Sequence, residues 1–434
     1  MNGAKISVIL PSLNVHEFIH ECMDSVIHQT LQDIEIICVD AGSTDGTLEI
    51  LREYEKQDDR IKVIVSDRKS YGYQMNLGMK AAGGEYIGIV ETDDLIPQHM
   101  YEELYEAAKE NDVDFVKADF YRFTGDGDER YLDKVVLAND KSYYGRIIDI
   151  EKEPDCLLLN NRSIWCGIYK REFIVANHIL YNETPGASYQ DNGFWFQTFI
   201  YAHRALFINE PYYMLRRDNP KSSVYNSGNV YCICDEFQFI LDILRKNENK
   251  YECFKSYFAY QYYIAFKWNL RRIDSIYRRD IIVRISEEFR KLLEMKIFSP
   301  KLFDEKNWNV LTAVIENPLE IYDRDIVALD RVVETICTYE SIIIYGAGMV
   351  GQRILRELEL KGKRNNILCF AVSKTTEGVN QYLGIPILPI KELQDNRDKA
   401  AVVIAVTALY RDVMIETARR FGFRNIIPIP ETDL

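Results

Sequence analysis

The sequence predicts an α/β fold with a mostly parallel sheet in the first half of the chain. Between residues 5 and 117, apolar runs of five or six residues rich in Ile and Val alternate with longer stretches of helical spacing. Such alternation favours strands that are covered by helices on the faces of the sheet. In addition, polar clusters directly follow three of the strands, and ligands bind at the carboxyl ends of strands in open sheets of this kind.

The individual elements follow from the pattern along the chain. Buried strands are predicted over 5–10, 34–39, 61–65, 86–90 and 113–117. Helices are predicted over 17–29 and 47–56, with Ser43 or Thr44 as the N-cap of the second helix. Residues 121–160 are polar and charged, and we expect them to form an excursion from the sheet.

Two further sections follow. From about residue 231 to 322 the Ile/Val strands disappear, and aromatic residues recur at helical spacing in a stripe formed by Phe254, Tyr257, Phe258, Tyr262, Ala265 and Trp268. From about residue 330 strands return, at 340–345, 367–372, 401–406 and 425–429, with a helix over 352–360. We therefore predict three domains: 1–225 containing the first sheet, 226–330 helical and rich in aromatic residues, and 331–434 as a small Rossmann-like unit.

Composition excludes several classes of protein and selects none. The 434 residues suit two or three domains, and the 47% of hydrophobic residues is too high for a disordered chain. The formal net charge of −14 argues against nucleic acid as a partner. The apolar run at residues 6–10 is too short for a signal peptide, and the nine cysteines include no CxxC pair, so we expect a cytoplasmic protein with reduced thiols.

Three polar clusters at strand ends predict a ligand site. The first strand ends near Pro11 and Asn14, the second ends in Asp40 before a glycine turn, and a later one ends in the acidic pair Asp93 and Asp94. An aspartate can accept hydrogen bonds from the N–H and hydroxyl groups of a nucleoside. A divalent cation would relieve the repulsion of the acidic pair, and Mg²⁺ typically takes one or two carboxylates together with phosphate oxygens. Taken alone, such a pair is more typical of a solvated turn.

The ordered series of motifs resembles that of the inverting family 2 glycosyltransferases, which have the GT-A fold and use nucleotide-diphosphate sugars. The resemblance covers residues 5–225, about half of the chain. It rests on Ser7-Val-Ile-Leu-Pro11 with Asn14, Ser25-Val-Ile-His-Gln-Thr30, Asp40-Ala-Gly-Ser-Thr-Asp-Gly-Thr47, Gly72 with Asn76, Gly84-Glu-Tyr-Ile87 and Glu91-Thr-Asp-Asp94.

The resemblance implies roles for these residues. Pro11, Asn14 and Asp40 would bind the donor nucleotide, and Asp40 would hold uracil or another base. Asp93 would lie by the ribose and the metal, and Asp94 would be the main ligand of Mn²⁺ or Mg²⁺, which can neutralise the charge of a departing diphosphate. The expected donor is a UDP-linked sugar, and the expected acceptor is a glycan or a lipid-linked molecule in bacterial surface polysaccharide synthesis.

The resemblance also implies a general base and two flanking segments. Asp191 would take the proton from the acceptor hydroxyl, with Gln190 in place of the usual glutamate, although Asp191 is also suited to cap a helix. The segment 163–171, with Trp165, resembles the acceptor-side segment of the family. Arg216 would contact the diphosphate, or it would pair with a surface acid.

Two other motifs suggest different chemistry. His16-Glu17-Phe-Ile-His20 matches the HExxH zinc-protease pattern, but it falls where the family has an ordinary helix, and no third ligand stands out. Gly346, Gly348 and Gly351 form a GxGxxG turn between a strand and a helix, as in dinucleotide sites, and would provide a C-terminal nucleotide site. The next strand ends in Ser373-Lys374 rather than in an acid, which disfavours NAD(P).

Residues 255–291 carry nine basic and four acidic side chains, a local charge of +5. Such a basic aromatic helix can lie peripherally on an anionic membrane, but the aromatic residues nearly encircle it and favour burial. Two alternatives to a transferase remain open from the sequence. One is an NAD(P)-dependent sugar-modifying oxidoreductase that uses the C-terminal domain, and the other is a non-catalytic scaffold in a polysaccharide complex.

Overall fold

A computed structural model describes residues 3–127, 130–159, 162–219, 221–223, 228–373 and 381–432. The chain divides into two compact units. The first contains residues 1–224 and 231–262, and the second contains residues 225–230 and 263–434. The division falls inside a long helix, and the three domain boundaries expected from the sequence stay a prediction.

The first unit is built on a mixed sheet. Its strands within the described residues are β1 (Ile6–Ser12), β2 (Ile34–Asp40), β3 (Ile61–Val65), β4 (Tyr86–Ile89), β5 (Phe115–Thr124), β6 (Tyr131–Val135), β7 (Ile147–Ile148), β8 (Gly167–Lys170) and β9 (Ala205–Arg216). They are ordered β3-β2-β1-β4-β8-β5-β9-β7, and β6 pairs with β5. The first four strands of this order are parallel, whereas β8 runs antiparallel to both β4 and β5. The predicted α/β architecture is thereby confirmed.

Helices connect the parallel strands and cover the sheet. They are α1 (Ile19–Ile27), α2 (Thr47–Gln57), α3 (Tyr71–Ala81), α4 (Met100–Asn111), α5 (Arg171–Ala176), α6 (Gln190–Tyr201), α7 (Cys232–Arg245) and α8 (Glu248–Arg272), the last of which crosses the division. β1 is buried along its whole length, because it lies inside the sheet between β2 and β4 and α3 packs against it. The loops after β1, β2 and β4 therefore meet at one edge, since parallel strands present their carboxyl ends together.

The segment after residue 120 differs from the predicted excursion. β5 continues to Thr124 and pairs with β6 in antiparallel register. Phe120 and Phe123 of this extension are buried, while Tyr121 and Arg122 are partly exposed. Because successive side chains point to opposite faces, each face of this extension carries one buried phenylalanine and one partly exposed residue, and this mixture concealed the strand in the composition of the segment.

The second unit contains a smaller sheet with the predicted Rossmann-like order. Its helices are α9 (Ser275–Glu294), α10 (Glu305–Glu316), α11 (Pro318–Ile321), α12 (Ala328–Cys337), α13 (Met349–Leu360) and α14 (Ala408–Arg420). Its strands are β10 (Ile342–Tyr345), β11 (Ile367–Val372), β12 (Gln381–Tyr382), β13 (Ile385–Pro389), β14 (Ala401–Ile404) and β15 (Asn425–Pro428). They are ordered β12-β13-β11-β10-β14-β15, and all pairs except β12 with β13 are parallel. No helix among the described residues is long and apolar enough to span a membrane.

Candidate active site

The loop after β2 is organised by Asp40, the last residue of that strand. Its Oδ1 accepts hydrogen bonds from the backbone N–H groups of Gly42 (2.9 Å) and Ser43 (2.8 Å). Its Oδ2 accepts from the hydroxyl groups of Ser43 (2.6 Å) and Ser12 (3.1 Å). Asp40 is fully buried, so in this arrangement it fixes the shape of the loop. Direct contact with a base stays a prediction.

The loop after β1 lies against the loop after β2. Asn14 has a left-handed backbone with φ of 56°, and its side-chain Oδ1 accepts from the N–H of Thr44 at 2.9 Å. In return, the N–H of Asn14 donates to Ser43 Oγ at 2.9 Å. The carbonyl of Pro11 accepts from Thr92 Oγ1 at 2.8 Å, which ties β1 to the loop after β4. The structure thus brings the three predicted clusters to one edge of the sheet.

The acidic pair is divided between two environments. Asp94 is 1% exposed; its Oδ1 accepts from the N–H of Arg216 and its Oδ2 from the hydroxyl of Tyr213, both at 2.7 Å. Burial and the charge of Asp93 raise the pKa of Asp94 well above its usual value, against the effect of these two hydrogen bonds. Asp93 is only half-buried, and its Oδ2 accepts from Asn219 Nδ2 at 2.7 Å.

The carboxylates of this pair suit a divalent cation, and the expected role of Asp94 as its main ligand stays a prediction. Both oxygens of Asp94 already face donors from β9, whereas Asp93 is the more accessible carboxylate. Mg²⁺ accepts one or two protein carboxylates if phosphate oxygens and water complete its shell. Among the described residues, no three His, Cys, Asp or Glu side chains are grouped as a metal site. The donor diphosphate would therefore have to supply part of the coordination.

Glu91 connects the acidic pair to the predicted base. Burial raises the pKa of Glu91 to about 8; the hydrogen bond from Tyr71 opposes the rise, and the charges of Asp93 and Asp191 add to it. The hydroxyl of Tyr71 donates to Glu91 Oε1 at 2.6 Å. Asp93 and Asp191, which lie far apart in the sequence, therefore both act on Glu91.

Asp191 lies in the first turn of α6. Burial raises the pKa of Asp191 above its usual value, while hydrogen bonds from Asn192 and the positive charge of Arg162 oppose the rise. Gln190 beside it is buried, and its Nε2 donates to the carbonyl and hydroxyl oxygens of Thr184 (3.2 and 3.0 Å) and to the carbonyl of Gly186 (3.1 Å). Gln190 thus anchors the loop before α6, which leaves Asp191 as the ionisable group at this helix start.

Arg216 forms ion pairs in this structure. Its Nη2 lies 2.7 Å from Glu21 Oε2, and its Nε donates to the backbone carbonyl of Asp93 at 3.0 Å. The guanidinium also lies 4.8 Å from the ring of Phe18 and 4.6 Å from that of Phe123. Of the two expected arrangements, the structure contains the pairing with an acid. A phosphate contact would require Arg216 to leave Glu21, and it stays a prediction.

Sequence reasoning missed Tyr213 and Glu236. The hydroxyl of Tyr213 accepts from the N–H of Glu91 (3.0 Å) and donates to Asp94, while its ring stacks on Trp165 with 4.2 Å between centroids. Glu236 is 1% exposed and accepts from the N–H of Gly193 in α6. An acid on the apolar face of α7, between Ile233 and Ile240, was the available signal for Glu236. No comparable feature of the sequence identified Tyr213 as a residue of the site.

The HExxH residues are not arranged as a zinc site. α1 begins at Ile19, so His16 precedes the helix, and its N–H donates to Asp45 Oδ2 at 3.1 Å. The ring of His20 contacts the hydroxyl of Tyr54 at 3.1 Å. The two histidines therefore do not occupy positions i and i+4 of one helix.

In the second unit, the glycine turn has the backbone that its pattern predicts. Gly346 has φ of +122°, and a Cβ on Gly351 would lie 1.8 Å from the carbonyl oxygen of Gly346, whereas Gly348 faces open space. Ser373, at the end of β11, pairs its hydroxyl with that of Tyr345 at 2.8 Å. Lys374 lies outside the described residues. The expectation that NAD(P) is disfavoured here depends on residues beyond Ser373 and stays a prediction.

The aromatic residues of the segment 255–291 are mostly turned inward, since Phe258, Tyr262 and Phe266 are buried. Its bases are divided between the interior and the solvent: Arg272 and Arg278 are buried, and Lys255, Lys267 and Arg271 are partly buried. The exposed bases in the segment are Arg279, Arg284, Arg290 and Lys291. The interpretation that favours burial of the aromatic residues agrees with these exposures, and a membrane contact through 255–291 stays a prediction.

Comparisons with known proteins point to the same region. The model of the family described as glycosyl transferase family 2 matches residues 7–174. The uncharacterized glycosyltransferase EpsJ of Bacillus subtilis is 34% identical over 222 residues, which are 50% of this chain and 62% of EpsJ. Glycosyltransferase GlyG of Streptococcus pneumoniae is 31% identical over 225 residues, which are 49% of this chain and 70% of GlyG.

A solved structure shows the likeness in fold. The crystal structure of S. aureus TarS 1–349 in complex with UDP has a TM-score of 0.53 and 19% sequence identity, and the match covers 71% of this chain and 86% of TarS 1–349. At this identity the match concerns the fold alone. The chain spans less than two thirds of EpsJ, and the two curated relatives match about half of this chain.

Proposed function

Because the chain belongs to glycosyl transferase family 2, we propose that it is an inverting glycosyltransferase that uses a nucleotide-diphosphate sugar, with UDP as the nucleotide. The observation that carries this proposal is the link between the strand end at Glu91 and the loop before α6: Tyr71 donates its hydroxyl to Glu91 at 2.6 Å and its N–H to the carbonyl of Gly186 at 2.9 Å. The charges of Asp93 and Asp191 both raise the pKa of Glu91, in keeping with this link. An acid in the first turn of a helix near such a strand end can supply a base next to a donor site.

In the proposed reaction Asp191 acts as the general base. Its carboxylate takes the proton of the acceptor hydroxyl while that oxygen bonds to the anomeric carbon. The bond from that carbon to the diphosphate breaks, and its electron pair leaves with the nucleoside diphosphate. Attack from the face opposite the leaving group inverts the configuration. A base of this type contributes about 10²–10⁴-fold to the rate.

The loops after β1 and β2 would hold the nucleotide. Asp40 shapes the loop that contains Gly42 and Ser43, and Asn14 joins it to the end of β1. Asp93 would hold Mn²⁺ or Mg²⁺ together with the diphosphate. When bound, such an ion neutralises charge that develops on the leaving group. The acceptor we propose is a glycan or a lipid-linked molecule in surface polysaccharide synthesis.

A panel of nucleotide sugars tests the proposal. The full-length protein is incubated with each sugar and Mn²⁺, and release of the nucleoside diphosphate is measured with and without EDTA. We expect release from a UDP-sugar, its loss with EDTA, and its recovery with added Mn²⁺. Asp191→Asn should reduce release at least about 100-fold, while UDP affinity measured by calorimetry stays within twofold.

Three results would contradict parts of the proposal. Release that is insensitive to EDTA would show that the reaction needs no metal ion. Full activity in Asp191→Asn would show that Asp191 is not the general base. The absence of release from every sugar, together with saturable NADH binding at the glycine turn, would favour the sugar-modifying oxidoreductase instead.

A further inference from the structure

Glu236 lies outside the region matched by the family model, yet it contacts the helix that carries Asp191. It is on α7, and its Oε1 accepts the N–H of Gly193 at 2.8 Å. Its Oε2 accepts from Asn182 Nδ2 at 3.0 Å. The first N–H groups of a helix have no partner within the helix, so Glu236 satisfies one of them at the start of α6.

Glu236 packs closely against the start of α6. A Cβ on Gly193 would lie 2.2 Å from Glu236 Oε1 and 3.2 Å from the ring of Phe239. A side chain at position 193 would therefore have to displace the Glu236 carboxylate from its place beside α6. On the preceding residues, Gln190 ties the same helix start to the carbonyls of Thr184 and Gly186. The first turn of α6 is thus held between two anchors.

The environment of Glu236 shows that its position is not incidental. The side chain is 1% exposed. Burial raises the pKa of Glu236 to about 8; the hydrogen bonds from Asn182 and Gly193 oppose the rise, whereas the charge of Asp191 adds to it. Enclosing an acid is costly unless hydrogen bonds compensate. Here the compensating donors are the helix that carries Asp191 and the loop before it.

We propose that Glu236 is a positioning residue for the transfer reaction, which holds the first turn of α6 and with it the direction of the Asp191 carboxylate. This inference rests on the proposed function, in which Asp191 is the base. A small displacement of a reacting group can lower the rate of the chemical step by about 100-fold without changing the affinity for the substrate. Glu236 should therefore affect kcat and leave donor binding unchanged.

The test compares Glu236→Ala with Glu236→Gln in the full-length protein. In Glu236→Gln the amide oxygen can still accept the N–H of Gly193, and the Asn182 amide can turn so that its oxygen accepts from the new NH2 group. We therefore expect Glu236→Gln to retain kcat within about threefold. Glu236→Ala should lower kcat about 10- to 100-fold, with donor KM and UDP affinity within twofold. Asp235→Ala, which changes an exposed acid one residue earlier on α7, is the matched control and should behave as wild type.

A second variant keeps the test decisive if Glu236→Ala does not fold. Asn182→Ala removes the donor to Oε2 and leaves the contact with Gly193, so kcat should fall by an intermediate factor at unchanged KM. A kcat of Glu236→Ala equal to wild type, or a loss of UDP affinity in proportion to kcat, would overturn the inference. If Asp191→Asn is inactive while the Glu236 variants are fully active, the positioning role fails and the proposed function stands. If the wild-type protein releases no nucleotide, both the positioning role of Glu236 and the proposed function fail.

Discussion

At the scale of residues, the site is a set of carboxyl groups of which Asp94 and Glu236 are buried and Glu91 and Asp191 are partly buried. Glu91, Asp94, Asp191 and Glu236 all have pKa values raised by burial. Each accepts hydrogen bonds from nearby backbone or side-chain donors. Such shifts reflect destabilised charge, and they are common where a site must bind a cation or move a proton.

The raised pKa of Glu91 predicts how stability depends on pH. In the unfolded chain this carboxyl loses its proton near its usual value of 4.5, but in the folded protein it does so at about 8. The folded state therefore holds an extra proton between these values, and stability falls as pH rises. Glu91→Gln lacks this contribution. Between pH 5 and 8 its unfolding free energy should therefore fall less steeply with pH than that of the wild type, by up to about 1.4 kcal/mol per pH unit.

Denaturant titrations at pH 5, 6, 7 and 8 measure this effect. Glu53→Gln, which changes an exposed glutamate on α2, is the control and should reproduce the slope of the wild type. Equal slopes for wild type and Glu91→Gln would show that Glu91 is ionised in the folded protein at neutral pH.

The positions of Asp40 and Asp93 at or after strand ends and of Asp191 at a helix start could be predicted from the sequence, whereas their roles stay predictions. The hydrogen-bond partners in the site could not be predicted. Tyr213 reaches Asp94 across 119 positions of sequence, and Glu236 reaches Gly193 across 43. These contacts depend on how β9 and α7 pack, and local pattern carries no information about packing between distant segments. For the same reason, the sequence could not decide whether Arg216 meets a phosphate or Glu21.

At the scale of elements, the glycine turn after β10 offers a matched pair of substitutions. A Cβ at Gly351 would collide with the carbonyl of Gly346, whereas a Cβ at Gly348 would meet nothing within 4 Å. Gly351→Ala should therefore destabilise the second unit by about 1–3 kcal/mol, the usual cost of overpacking. Gly348→Ala should leave thermal unfolding within about 1 kcal/mol of wild type.

The same two substitutions, Gly348→Ala and Gly351→Ala, test the predicted nucleotide site of the second unit. If the turn binds the phosphates of a nucleotide, Gly348→Ala should weaken that binding without altering stability, because the backbone must approach the ligand closely at this position. Titration with NADH fluorescence measures the binding. Stability of Gly351→Ala equal to wild type would show that the turn can move to admit a side chain.

Strands with continuous apolar runs could be predicted, because burial on both faces of a sheet requires apolar residues at consecutive positions. β2, which is buried at all but one position, occupies 34–40 against a predicted range of 34–39. The edge strand β3 also has its predicted range of 61–65, although Lys62 and Val65 are exposed. α1 is shorter than predicted and begins only at Ile19. The N–H groups of Val15 and His16, which precede it, bond to the side chains of Thr47, the first residue of α2, and of Asp45 in the loop before α2. These acceptors come from residues about 30 positions away, which local sequence pattern does not reveal.

At the scale of the whole molecule, the first unit extends beyond the expected boundary at residue 225. It includes residues 231–262, and therefore α7 and part of α8. The ring of Phe196 on α6 packs edge-on against Phe258 (6.3 Å between centroids), and Phe237 stacks on Tyr262 (4.4 Å). The motif series ended at 225, and the aromatic residues after it gave no indication of which unit they would join.

This extension predicts how shortened proteins behave. A protein that ends at residue 225 loses Glu236 together with Phe237 and Phe258, and it exposes the buried ring of Phe196. Each large apolar side chain contributes about 1.5–3 kcal/mol when buried, so this protein should unfold at a lower temperature than one that ends at residue 272, after α8, and should bind the dye ANS more strongly. Circular dichroism melting and ANS fluorescence measure both effects. Equal melting of the two proteins would mean that residues 231–262 cover α6 without stabilising it, and the boundary at 225 would then be the correct one.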